Sequence, residues 1–149
     1  MKRLTEQIKL DNAVESQALG ASNTTGNYFD MTQYRDAMFV LNSGALANTN
    51  LIKLEILQAK DESGTEAKAV KDADGNPIIV EFTNETGAGV ASAKLIAEVQ
   101  GSLMDTNNGF THLAAKVTSD DASSNISCDL IRGNARFMPA QDADNMVVA

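Results

Sequence analysis

From Ile52 onward the chain repeatedly alternates apolar and polar residues with a period of two. Ile52, Leu54 and Ile56 are set against Lys53, Glu55 and Leu57, and Ile78, Val80 and Phe82 against Ile79 and Glu81. Leu95, Ala97 and Val99 alternate with Lys94, Glu98 and Gln100, and Leu113, Ala115 and Val117 with His112, Ala114 and Lys116; Ile126, Cys128 and Leu130 follow. Such a period buries one face of a strand. Residues 28–31 and 67–70 are shorter candidates. Residues 37–41 (Ala-Met-Phe-Val-Leu) are apolar throughout and predict a strand packed on both faces. Polar, Gly- and Asn-rich stretches at 42–44, 60–64, 72–77, 84–89 and 105–109 separate these runs. The stretch 119–124 reads as a hairpin loop. Leu95, Ile96, Val99 and Leu103 also fit a helical face, but Gly101 and Ser102 weigh against a helix there.

About eight short strands at close spacing predict an all-β fold, an antiparallel β-sandwich or jelly-roll-like body. Aromatic residues make up only 5% of the chain, so aliphatic side chains, Met and Ala must fill the interior. No long repeat is present, which argues against a solenoid.

Residues 1–26 differ from the rest. Leu4, Ile8, Leu10, Val14 and Leu19 are spaced irregularly, and a small, polar run at 20–26 follows them. This segment reads as an extended N-terminal arm and linker, with a short amphipathic helix as the alternative. The body is expected over 27–140, and 141–149 as a C-terminal tail.

Charge narrows the partners. Twelve Lys and Arg against 20 Asp and Glu leave a formal charge of −8 in 149 residues. A nucleic-acid binder needs a basic face, and so does a membrane-surface protein; neither class fits. No apolar run approaches the roughly 20 residues of a membrane span. The N-terminus lacks the apolar core of a signal peptide, so synthesis in a reducing cytoplasm is expected, and the sequons at Asn23, Asn84 and Asn125 read as accidents of composition.

Chemistry is sparse. His112 is the one histidine and Cys128 the one cysteine, too few for a zinc site of the usual ligands. His112 is the only available imidazole base, and it reads as an exposed or interface side chain at the start of a strand. Cys128 sits in an apolar alternation and reads as a buried thiol. Asp72, Asp74, Gly75 and Asn76 look like part of a calcium loop, but the position where a closing glutamate belongs is Thr83, and Pro77 interrupts. A plain turn fits better. No phosphate-binding glycine motif occurs. Glu55, Glu81 and Glu98 fall on outward strand positions. No catalytic residue, cofactor or metal is expected.

Four stretches resemble a known group. They are Asn27-Tyr28-Phe29-Asp30-Met31-Thr32-Gln33-Tyr34-Arg35-Asp36, Leu54-Glu55-Ile56-Leu57-Gln58-Ala59-Lys60-Asp61 with Gly64-Thr65, Asn108-Gly109-Phe110-Thr111-His112, and Arg132-Gly133-Asn134-Ala135-Arg136-Phe137-Met138-Pro139-Ala140. In this order they are similar to small virion structural proteins of tailed bacteriophages, of the capsid decoration (cement) type, over residues 27–140. The resemblance implies a non-enzymatic protein on the capsid surface, assembled in the bacterial cytoplasm. Its partners would be the major capsid protein and its own copies, with a homotrimer at three-fold or quasi-three-fold positions. From the residues themselves, the arm (Lys2, Arg3, Leu4, Ile8, Lys9 and Leu10) is expected to dock on a capsid subunit or neighbouring copy. Two other readings remain at this stage: a neck or tail component, and a host-glycan-binding module, which would need an exposed aromatic platform around Tyr28 or Tyr34.

Overall fold

The computed structural model describes residues 3–85 and 92–136. Their backbone forms one helical turn, α1 (Leu4–Gln7), and ten strands. The strands are β1 (Lys9–Ala18), β2 (Asn23–Thr25), β3 (Phe29–Asp30), β4 (Asp36–Ser43), β5 (Leu51–Ala59), β6 (Lys68–Ala69), β7 (Ile79–Thr83), β8 (Lys94–Gln100), β9 (His112–Ser119) and β10 (Asn125–Gly133). One sheet is four-stranded, in the order β1-β10-β4-β8. The other runs β2-β9-β5-β6, with β3 also on β9 and β7 also on β5. All these pairs are antiparallel. The chain crosses between the sheets after β1, β3, β4, β7, β8 and β9, the winding of a jelly roll. The expected all-β sandwich is the fold.

The period-two pattern becomes the core. Phe39 and Leu41 of β4, Ile52, Leu54 and Ile56 of β5, and Leu130 of β10 are fully enclosed between the sheets. Each of the eight strands expected between Tyr28 and Leu130 is present. Residues 94–100 are a strand, and the apolar Leu103 that suggested a helix belongs to a 3-10 turn, Gly101–Leu103. A Cβ on Gly101 would sit 2.8 Å from the Arg35 carbonyl oxygen, so the chain turns where no side chain fits.

Three expectations change. The sandwich does not start at Asn27: β1 lies along β10 at one edge of the four-stranded sheet, and β2 pairs with β9. Two register shifts, between Asn12 and Val14 and between Val14 and Gln17, move β1 off a simple alternation. Ala13 and Val14 are therefore both buried, which a period-two scan reads as irregular. At Gly26 a Cβ would come within 1.9 Å of the Ala13 carbonyl oxygen; this glycine lets the returning chain cross β1. Second, 119–124 is no hairpin loop. It carries the chain from one sheet to the other, and the carboxylate of Asp121 holds this corner to Ala47 N–H at 2.7 Å. Third, β4 is packed on one face only. Ala37, Phe39 and Leu41 point inward, while Met38 and Val40 lie half-buried on the outer face. The tail at 141–149 and the last residues of the expected body lie outside the described residues.

Candidate interaction surface

The strand registers set the outer face of the four-stranded sheet in rows. Leu10, Ile131, Met38 and Glu98 stand side by side across β1, β10, β4 and β8. Asn12, Asp129, Val40 and Ile96 form the next row. Leu10, Ile131, Met38, Val40 and Ile96 thus make an apolar diagonal, with both Leu10 and Ile96 50% exposed. The outer face of the other sheet is more charged: Lys53 stands opposite Glu81, and Glu55 lies between Lys116 and Ile79, which is 42% exposed. Such cross-strand charge pairs suit a solvated surface.

Of the residues expected to form the arm, Ile8 and Leu10 reach this face at its β1 edge. Leu10 belongs to the apolar diagonal. Lys9 is opposite Arg132, and a methyl of Ile8 lies near Gly133. Leu4 projects from α1 with 67% of its surface exposed. Arg3 precedes that turn, its N–H donating to Glu6 Oε2 at 3.0 Å. Lys2 lies outside the described residues.

One buried charge fastens this edge. Arg132 faces inward from β10 and joins both sheets. Its Nη2 donates to Asp11 Oδ2 of β1 at 2.5 Å, and its Nη1 to the Asp30 carbonyl of β3 at 2.6 Å. The guanidinium also lies 4.7 Å from the Tyr34 ring centroid and 5.5 Å from that of Phe29. Sequence alternation places Arg132 on the inward face but gives no sign of its partners, because Asp11 and Asp30 lie about a hundred residues away along the chain.

The remaining polar groups are occupied structurally. His112 Nδ1 is 2.9 Å from Thr111 Oγ1, and the ring stands opposite Asp30 in register. The thiol of Cys128 is pushed up to about 12 by burial and then by the charge of Asp129, so it is no nucleophile at neutral pH. His112 and Cys128 lie in different sheets. Asp72 Oδ1 accepts the N–H groups of Asp74 and Asn76, both at 2.9 Å, in a plain turn. Asn84 is buried and donates to the Leu46 carbonyl at 2.9 Å. Among the described residues no group of three His, Cys, Asp or Glu is placed to hold a metal, and no helix is long and apolar enough to cross a membrane.

Several aspartates are held below their ordinary value of 3.8. The hydroxyl and N–H of Thr65 act on Asp61, the Lys68 ammonium on Asp105, and the N–H groups of Ala47 and Ser123 on Asp121. For Asp30, burial pushes upward, but hydrogen bonds from Thr32 and the charges of His112 and Arg132 win.

A cleft of about 590 Å³ opens at one end of the sandwich, lined by Met31, Tyr34, Arg35, Met104 and Arg136 among others. Its described lining offers the guanidinium groups of Arg35 and Arg136 beside apolar side chains. Neither tyrosine forms an open platform. Tyr28 packs over Gly64 and Tyr34 stacks on Arg132, both half-buried.

No family model matches the chain, and no curated protein does. A solved structure shares its fold. The SPBc2 prophage-derived protein YomS is similar over 84% of this chain and 91% of its own, with 12% identity and a TM-score of 0.50. A chain in the structure of infectious bursal disease virus, Gx strain, aligns with 89% of this chain but 33% of its own, with 12% identity and a TM-score of 0.48. At such identities the likeness concerns the fold.

Proposed function

We propose that this chain is a structural protein of a phage virion that works by attachment and carries out no reaction. The observation that carries this reading is the apolar diagonal on the outer face of the four-stranded sheet, Leu10, Ile131, Met38, Val40 and Ile96, set against an outer face on the other sheet where the exposed Ile79 lies among cross-strand charge pairs. Such asymmetry marks an interaction surface. The four sequence stretches similar to tailed-phage virion proteins support it, and so does a jelly-roll fold held in common with a prophage-derived protein. More specifically, the chain acts as a decoration protein on the major capsid protein, as a homotrimer at three-fold or quasi-three-fold positions. Contacts weak in one copy become strong when several engage together. The N-terminal residues Lys2, Arg3, Leu4, Ile8, Lys9 and Leu10 contribute the docking edge, with Leu4 and Leu10 burying their exposed surface. Binding stabilises the assembled shell by mass action.

The test adds purified protein to shells that lack it and measures co-sedimentation. The wild type should bind to saturation. Leu4→Asp/Leu10→Asp should retain its thermal melt and lose binding. Undiminished binding by that variant would refute the docking edge, and failure of the wild type to bind any shell would refute the decoration role.

A further inference from the structure

The β8 edge of the four-stranded sheet, unpaired among the described residues, carries a self-complementary pattern. Ser43 N–H donates to the Ala93 carbonyl at 2.9 Å, and Gly101 N–H to the Arg35 carbonyl at 2.6 Å. Both contacts belong to the same β4–β8 register, in which Ala97 faces Phe39 and Val99 faces Ala37. Backbone groups alternate sides along a strand, so Leu95, Ala97 and Val99 also point theirs at β4. Lys94, Ile96, Glu98 and Gln100 then aim their N–H and C=O groups away from the sheet. Among the described residues no strand pairs with that side of β8. This edge is regular, without the bulge or proline that usually protects one.

We propose that β8 pairs with β8 of a second copy, antiparallel, about a two-fold axis through Ile96. That register brings Ile96 opposite its own symmetry mate. It sets Lys94 of each copy opposite Glu98 of the other, and each of these pairs exchanges both backbone hydrogen bonds. Neighbouring registers are worse. Moving the axis to Ala97 puts Ile96 against Glu98, and moving it to Glu98 sets two carboxylates face to face. The chosen register also runs the apolar outer faces together, from Val40 and Ile96 of one copy into Ile96 and Val40 of the next. On a shell, the pairing would tie adjacent copies to one another, but it stands on the edge alone and does not require the virion role.

The experiment uses the full-length protein with single cysteines, Cys128 being buried. Paired residues of this type have Cα atoms roughly 5.5 Å apart, within disulfide reach. Ile96→Cys should form a covalent dimer on mild oxidation, Glu98→Cys alone should not, and a mixture of Lys94→Cys with Glu98→Cys should cross-link to each other. By sedimentation, Lys94→Glu should weaken association about tenfold, because symmetry repeats the like-charge contact. Lys94→Glu/Glu98→Lys should restore it. A monomer at every concentration without an Ile96→Cys disulfide would overturn the proposal, as would a double charge swap that fails to rescue. Slow amide exchange at Ile96 and Glu98 in a proven monomer would also overturn it, and would assign the edge to a segment of the same chain.

Discussion

Replacing Asp11 by asparagine isolates the ion pair that holds β1 to the sandwich. The change keeps the shape of the side chain but removes the anion beside Arg132, whose own side chain is 7% exposed, against 19% for Asp11. Removing one partner of a fully buried pair typically costs about 3–5 kcal/mol, because the other charge is left without compensation. Water reaches Asp11, the Asp30 carbonyl still accepts from Nη1, and the Tyr34 ring still faces the guanidinium. The expected loss is therefore below that range, about 2–3 kcal/mol. For a chain of this size that corresponds to a fall of roughly 5–10 °C in melting temperature. Urea denaturation followed by circular dichroism should show a lower midpoint with an unchanged slope. Arg132→Met should cost less than the lone charge suggests, since a partly hydrated Asp11 tolerates the loss of its partner. Adding Asp11→Asn to Arg132→Met should cost almost nothing more. If Asp11→Asn lies within about 0.5 kcal/mol of wild type, the range of an ordinary surface change, the pair does not anchor β1.

Three further outcomes follow from the same geometry. Truncation of residues 2–8 should leave the sandwich folded, whereas truncation of 2–20 should unfold it, since the second removes an edge strand along with Val14 and Asp11; circular dichroism separates the two. Cys128 should resist alkylation at pH 8 in the native protein and react fully in denaturant, and rapid native labelling would contradict its burial. The depressed aspartates bind protons more readily unfolded than folded, so their contribution is complete above about pH 5 and is lost as pH falls through the folded values, below 3.8. Denaturation midpoints should be level from about pH 5 to 7 and drop below 4, and Asp121→Asn should flatten that drop.

The alternation from Tyr28 to Leu130 made most of this fold legible, because strands with one buried face imprint a period of two. Strand β1 escaped for a physical reason: its two register shifts bury the adjacent Ala13 and Val14 and break the period that would have revealed it. The turn at 119–124 was legible as a turn but not as a crossing between sheets, since its anchor is Ala47, far away in sequence. Residues 37–41 told a half-truth. Their unbroken apolar run called for cover on both faces, and the sandwich supplies only one. That shortfall locates the outer surface, and no chemical motif in the chain would have done so. The proposed docking residues Leu4 and Leu10 were legible as apolar positions in a polar segment; the placement of Leu10 beside Ile131 depended on the fold.

On the proposed reading, this protein serves by attachment to a particle in many copies. Quantitative mass spectrometry of purified virions, paired with cryo-electron microscopy, measures this directly. A copy number comparable to that of the major capsid protein is expected, with density of this shape on the outer shell. Particles free of the chain would contradict it, and a single ring of copies at the neck would contradict the decoration role.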